Sequence, residues 1–202
     1  MFGFKKKAKG YIAYFQLEDL WFNYLNDTDR REVRERFSKV MSSAGNPGDS
    51  VDQVKIDDTS MHLETFLSVA AEGISDLEKK KHIIDLALRE TEKSNDPIRI
   101  HYAYLAAARQ YKLMIKMNHR HNDRFIDILN KDCSIYDSFI KSYYKEKEII
   151  PSYPAFKELA LAYERKGEIN KAIRISKVAL LKNVNEKTSF ENRIQKLQQK
   201  LT

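Results

Sequence analysis

Long stretches without helix-breaking residues constrain the fold of this chain more than any other feature. Only six Gly and four Pro occur in 202 residues, and four of the Gly lie in the first ten residues or in the 45–48 loop. Between these breakers, apolar residues recur three and four positions apart, and no segment of useful length alternates with period two. The sequence therefore predicts an all-α protein without a β-sheet.

A pair of helices is predicted in residues 1–41, after a basic tip. Residues 11–25 carry apolar side chains on more than one face, so this helix must be covered on several sides, by the rest of the chain or by a second copy. Trp21 and Phe22 fall on different faces of it. They are the candidate residues for self-association into a homo-oligomer.

Residues 42–59 have the Ser, Gly, Asn, Pro and Asp content of a linker or loop, and they form the best candidate boundary in the chain. Residues 60–202 after it are predicted to fold as a series of helical hairpins. The predicted helices cover residues 63–74, 75–93, 97–117, 123–145, 154–166, 169–182 and 187–200. Capping pairs predict two helix starts, at Asp29 with Glu32 and at Ser75 with Glu78.

Residues 153–184 resemble a tetratricopeptide repeat. The pattern is a large aromatic, a Leu, a small residue, a Tyr, a turn Gly and two Ala, here Phe156, Leu159, Ala160, Tyr163, Gly167, Ala172 and Ala179. Small residues allow two antiparallel helices to approach closely, and the Gly allows a sharp turn. Ser176 stands where the family usually has an aromatic residue.

A weaker copy of the pattern lies on the 97–117 helix, where Tyr104, Ala107, Ala108 and Tyr111 repeat the spacing of aromatic and small residues. The resemblance thus covers 153–184 clearly and 60–150 loosely. It implies a short right-handed array of stacked hairpins that ends in a capping helix over 187–200. The chain is also similar to a group of small bacterial and phage helical proteins.

The resemblance also implies a binding surface, because the first helix of each hairpin lines the concave side of such an array. The groove residues expected on this basis are Tyr102, Leu105, Arg109, Lys112, Lys157, Glu164 and Arg165. A basic groove favours an acidic peptide or a C-terminal carboxylate, so the expected partner is a protein or peptide. The same charges also fit an ordinary solvated surface.

Charge is distributed unevenly along the chain, which has a formal net charge of +7. Residues 41–97 carry 6 basic and 12 acidic side chains, whereas residues 151–202 carry 11 and 5. This asymmetry leaves nucleic acid open as an alternative partner. The candidate platform for bases and phosphates is a group of aromatic and basic residues, namely Lys141, Tyr143, Tyr144, Lys145 and Lys147.

No pattern of catalytic or cofactor-binding residues is recognisable. His119 and His121 lie two positions apart, which places them in different directions on a helix, and no other ligand lies at metal-site spacing. The 45–48 loop lacks the Lys-Ser/Thr pair that follows a phosphate-binding loop. Cys133, the single cysteine, is expected to be a buried structural thiol. We expect neither enzymatic activity nor a metal or cofactor.

The chain is expected to be cytoplasmic. A single cysteine permits no intramolecular disulfide, which fits a reducing compartment. The segment after the basic tip is interrupted by Gln16, Glu18 and Asp19, so it lacks the apolar core of a secretory signal. No window approaches the roughly 18 apolar residues of a membrane-spanning helix.

Overall fold

A computed structural model describes residues 8–41, 48–146, 151–186 and 189–201, without the side chains of Lys145 and Glu146. Within these ranges the chain is all-helical and contains no strand, which confirms the prediction of an all-α protein, while the predicted repeat array stays a prediction. The helices are α1 (Gly10–Tyr14), α2 (Asp27–Val40), α3 (Leu63–Gly73), α4 (Leu77–Thr91), α5 (Pro97–Met117), α6 (Asn122–Ser134), α7 (Tyr136–Glu146), α8 (Ala155–Arg165), α9 (Ile169–Leu181) and α10 (Phe190–Gln198). They form two compact units, unit 1 (Met1–Lys93) and unit 2 (Ser94–Thr202).

The N-terminal segment of unit 1 does not form the single helix predicted over 11–25. It consists of α1, then a π-helix over Leu20–Tyr24, and Gln16 between them has a φ of 57°. The backbone of α1 is bonded to the middle of the predicted loop, because the Tyr11 N–H donates to the Ser50 carbonyl at 2.9 Å. The periodicity of apolar residues reveals neither the break nor this bond.

The helix starts in unit 1 differ from both predicted capping pairs. Asn26 caps α2 in a reciprocal capping box with Asp29, and Asp76 caps α4. Glu32 instead accepts hydrogen bonds from the backbone N–H of Ser75, at 3.0 Å, and from its hydroxyl, at 2.7 Å. The predicted pairs were therefore wrong by one to three residues, although both lie at the correct helix ends.

The core of unit 1 is rich in aromatic rings. Phe37 on α2 and Phe66 on α3 are fully buried, with ring centroids 5.0 Å apart, and Tyr11 packs on both. Helix α3 packs on α2 and on α4. The predicted separation of 1–41 from 60–202 stays a prediction, but α2 and α3 on either side of the predicted linker are in contact.

Unit 2 is a succession of neighbouring helices. Helix α5 packs on α6, α6 on α8, α8 on α9 and α9 on α10, while α7 packs mainly on α5. The predicted 123–145 helix is interrupted at Ile135, where α6 ends and α7 begins. The caps of α5 and α10 are the side chains of Asp96 and Ser189.

The α8–α9 hairpin places the repeat-like residues in its core. Phe156, Leu159, Ala160, Ala172 and Ala179 are fully buried, and Tyr163 is nearly so. Gly167 in the turn has a φ of +77°, in the left-handed region that favours glycine. Ser176 is also buried, and its hydroxyl donates to the Ala172 carbonyl at 2.8 Å, so a serine is accommodated at the expected aromatic position.

Candidate functional site

Helix α5 has one buried face and one exposed face, and the exposed face is the best candidate site in the chain. Asp96 starts the helix by accepting from the backbone N–H of Ile98 at 2.9 Å, and Pro97 occupies the first turn, where its missing N–H costs nothing. His101, Tyr104, Ala107, Ala108, Tyr111 and Met114 are among the buried residues. The core therefore fixes the rotation of α5 about its axis.

We call the opposite side the α5 face, and it consists of Tyr102, Leu105, Arg109, Lys112, Leu113, Lys116 and Met117. At 100° per residue these positions span an arc of about 140°, and the stripe is about 22 Å long. Its apolar members are well exposed, since Tyr102, Leu113 and Met117 show 50%, 53% and 70% of their surface. Leu105 is half-buried. Large apolar side chains are thus aligned along a surface of one helix.

The α5 face is also basic. Residues 97–117 contain no Asp or Glu at all, while Arg109, Lys112 and Lys116 are all exposed. Lys112 donates to Glu158 of α8 at 2.8 Å. Arg109 and Lys116 form no ion pair with any residue that the structure describes. The face therefore carries two cations that have no carboxylate partner among the described residues.

The structure brings only part of the predicted groove together. Tyr102, Leu105, Arg109 and Lys112 share the α5 face, and the Lys112–Glu158 pair connects this helix with α8. Lys157, however, donates to Glu186 at 3.4 Å, outside the α5 face. The predicted groove residues of α5 therefore share one exposed side of that helix, while Lys157 of α8 is paired elsewhere.

Glu164 and Arg165 of the predicted groove also differ in their surroundings. Glu164 accepts from Arg193 at 3.2 Å and from Lys200 at 2.6 Å, so its charge is compensated by α10 and the residues that follow it. With Leu161 and α10 it lines a small cavity of about 190 Å³. Arg165 is exposed and forms no ion pair with the described residues.

The two residues predicted for self-association differ in exposure. Trp21 is 1% exposed, and its indole N–H donates to Asp52 at 3.0 Å. Arg34 binds the same carboxylate through Nε and Nη2, at 2.8 and 2.6 Å, and its guanidinium lies 5.3 Å from the Trp21 ring. Trp21 therefore stabilises unit 1 and presents no surface to a second copy. Phe22 is half-buried, and self-association stays a prediction.

A buried polar cluster in unit 2, formed by His101, Asp132 and Tyr153, was not predicted from the sequence. His101 is 2% exposed, and its Nδ1 lies 2.8 Å from Asp132 Oδ1. The Tyr153 hydroxyl lies 2.7 Å from the same oxygen and 2.7 Å from the Asp132 carbonyl. Burial, and next the Asp132 carboxylate, raise the pKa of Tyr153 well above its usual value.

This cluster is a structural feature, because all three of its side chains are shut off from solvent. Asp132 Oδ2 is buried and has no hydrogen-bond partner among the described residues. Sequence spacing gives one signal for it: Asp132 follows Leu129 by three residues and precedes Tyr136 by four, on the apolar face of the helix. Cys133 is half-buried rather than fully buried, and burial raises the pKa of its thiol.

In the part of the chain that the structure covers, no three His, Cys, Asp or Glu side chains converge as metal ligands would. None of the helices of the described ranges combines the length and the apolar character needed to span a bilayer. For the nucleic-acid alternative, Lys141 and Tyr144 are exposed, while Lys147 and the side chain of Lys145 lie outside the described residues.

The chain was compared with protein-family models, with curated proteins and with solved structures, and none of the three comparisons found a match.

Proposed function

We propose that this chain is a non-enzymatic interaction protein that binds a protein or peptide partner through the α5 face. The observation that carries the proposal is the alignment of exposed apolar and basic side chains along one 21-residue helix that contains no acidic residue, two of these basic residues having no ion-pair partner among the described residues. Exposed aromatic and aliphatic side chains that share one side of a helix are typical of interaction surfaces. Arg109 at its centre is a residue type enriched at interfaces.

The proposal includes a repeat-like arrangement of unit 2. The α5–α6 and α8–α9 hairpins each pack internally, and α6 packs on α8, which is the neighbour relation of stacked repeats. The Lys112–Glu158 ion pair links α5 to α8, the first helices of the two hairpins. Helix α10 covers α9, as a terminal cap would. In such an array α5 and α8 line the binding side.

Site-specific photocrosslinking tests the proposed function. A photoreactive amino acid replaces Leu113 in the full chain, and the crosslinks are formed in an extract of cells that naturally make the protein. A second probe replaces Leu181, which is 83% exposed on α9 and serves as the matched control. We expect one discrete crosslinked protein from position 113 and none of that species from position 181.

Charge reversal adds a second arm to this experiment. Arg109→Glu with Lys116→Glu is expected to abolish the crosslink from position 113, since the two unpaired cations become carboxylates. The matched control is Arg174→Glu with Lys177→Glu, which makes the same change on the exposed side of α9. Melting temperatures should be unaffected in both variants. Identical products from positions 113 and 181, or a crosslink insensitive to charge reversal of α5, would remove the basis of the proposal.

The alternative partner, nucleic acid, gives a different result. Binding driven by phosphates must weaken steeply as salt concentration rises. A gel-shift series over salt with single-stranded DNA, using the same two charge-reversal variants, separates this alternative from protein binding.

A further inference from the structure

The exposed apolar side chains, the backbone chemistry and the charge of the α5 face together favour one class of partner. We infer that it binds an acidic amphipathic α-helix, which lies along α5 with its apolar stripe on Tyr102, Leu113 and Met117. This inference rests on the proposed function and specifies the partner that the face selects.

The backbone of α5 excludes partners that bind as extended chains. The N–H and C=O groups in the middle of a helix bond one another, so they offer nothing to an added strand. The described ranges contain no strand whose edge such a partner could join. A partner helix needs no backbone bonds from α5, because it satisfies its own. Proline-rich segments prefer grooves lined by aromatic rings, and Tyr102 is the one aromatic residue on this face.

The apolar side chains define the register of the partner. Leu113 and Met117 are one helical turn apart, and Tyr102 lies 11 residues, or about 16 Å, before Leu113. A partner helix of about 18 residues spans this distance. Its apolar side chains should recur at i, i+4, i+7 and i+11, as in other complexes of a helix with an apolar groove.

The charges of the α5 face determine the sign of the charge that a partner should carry. Arg109 and Lys116 flank the apolar stripe and have no carboxylate partner among the described residues, whereas Lys112 is paired with Glu158. Carboxylates along the edges of the partner's apolar stripe would meet these cations. A second copy of the same face would not, because two-fold pairing of α5 brings basic residues opposite basic residues, and like charges across an interface are repulsive. The charge pattern thus favours an acidic partner over a homodimer through α5.

The test uses two designed 18-residue peptides and the full-length protein. The acidic peptide has Leu at i, i+4, i+7 and i+11 with Glu on the flanking positions, and the basic peptide has Lys at every Glu position. Both carry a fluorophore, and circular dichroism is used to choose peptides of equal helicity. Fluorescence anisotropy then gives Kd for each. We expect the acidic peptide to bind at least about 10-fold more tightly than the basic one.

Variants of the protein connect this preference with α5. Arg109→Glu with Lys116→Glu should lower the affinity for the acidic peptide by about 10-fold and raise the affinity for the basic peptide, because the α5 face then carries the opposite charge at these two positions. Arg174→Glu with Lys177→Glu should leave both affinities unchanged. A proline in the centre of the acidic peptide should abolish binding, since it prevents a continuous helix.

Each contrary result overturns a stated part of the inference. Equal binding of the two peptides, or equal losses in the α5 and α9 variants, refutes the charge-selective face. Retained binding of the proline-containing peptide refutes a helical partner. If single-stranded DNA binds more tightly than the acidic peptide, the partner is a nucleic acid and not an acidic helix. If the acidic peptide fails while position 113 still crosslinks a protein, only the partner class is wrong. If both fail, the proposed function falls as well.

Discussion

Replacement of Tyr153 by Phe isolates the energetic role of the buried cluster. The Tyr153 side chain has no exposed surface, and its ring stacks on His101 with centroids 4.1 Å apart. Phe preserves this ring packing and removes only the hydroxyl that donates to Asp132. The loss leaves His101 as the remaining side-chain partner of Asp132 among the described residues, since Oδ2 has none.

The expected loss of stability follows from the charge of the acceptor. A hydrogen bond to a charged group contributes about 1.5–3 kcal/mol, so Tyr153→Phe should lower the free energy of unfolding by about 2 kcal/mol. With a typical urea m-value of about 2 kcal/mol/M, the midpoint should fall by about 1 M. Far-UV circular dichroism at pH 7 measures it. The matched control Tyr144→Phe removes an exposed hydroxyl and should change stability by less than about 0.5 kcal/mol.

The pH dependence of this difference is a second check on the same residue. Because the folded state raises the pKa of Tyr153, the unfolded chain loses the phenolic proton first as the pH rises above about 10. The stabilising contribution is therefore complete below pH 10 and is lost above it. The difference in free energy of unfolding between the wild type and Tyr153→Phe should decrease by about 1 kcal/mol between pH 10 and 11. A constant gap, or a Tyr153→Phe effect equal to that of Tyr144→Phe, would refute the reasoning.

Two further predictions concern backbone conformation and the tryptophan site of unit 1. Gly10→Ala should lower the free energy of unfolding by at least about 2 kcal/mol, because the added Cβ would lie 2.2 Å from the Ser50 carbonyl oxygen. Gly167→Ala should lower it by only about 1 kcal/mol, since the φ of Gly167 is also positive but no atom lies within 4 Å of the added Cβ. Urea unfolding compares the two variants, and equal losses would contradict the close contact at Gly10. Asp52→Asn should destabilise unit 1 by about 2 kcal/mol, because it removes the charged acceptor beside Trp21, and an unchanged midpoint of tryptophan fluorescence in urea would contradict that role.

The local structure of this chain follows from its sequence far better than its long-range contacts do. The all-α class of this chain was predictable from spacing, because a helix imposes one period on all its residues. The bond between Tyr11 and Ser50 was not, since it depends on which distant segment lies nearby, nor was the break at Gln16, which the spacing does not reveal. The division between α6 and α7 was not predicted either, because apolar residues continue at helical spacing through the break at Ile135.

The candidate site was predictable to the same degree. Arg109 and Lys112 were expected on an exposed side, and they lie there. The compensation of Glu164 by Arg193 and Lys200 was not foreseeable, because ion-pair partners 29 and 36 residues away become neighbours only when α10 packs on the hairpin. His101 was not predicted as a core residue for the same reason, because the hydrogen bond that allows its burial comes from Asp132, 31 residues away.

The position of the single tryptophan gives this protein a built-in optical reporter. Trp21 lies in unit 1, so fluorescence excited at long wavelength follows the melting of that unit alone, whereas circular dichroism follows helices throughout the chain. Superimposable curves from the two signals would mean that both units lose their structure in one cooperative step. Separated curves would assign a stability to each unit without any truncation of the chain.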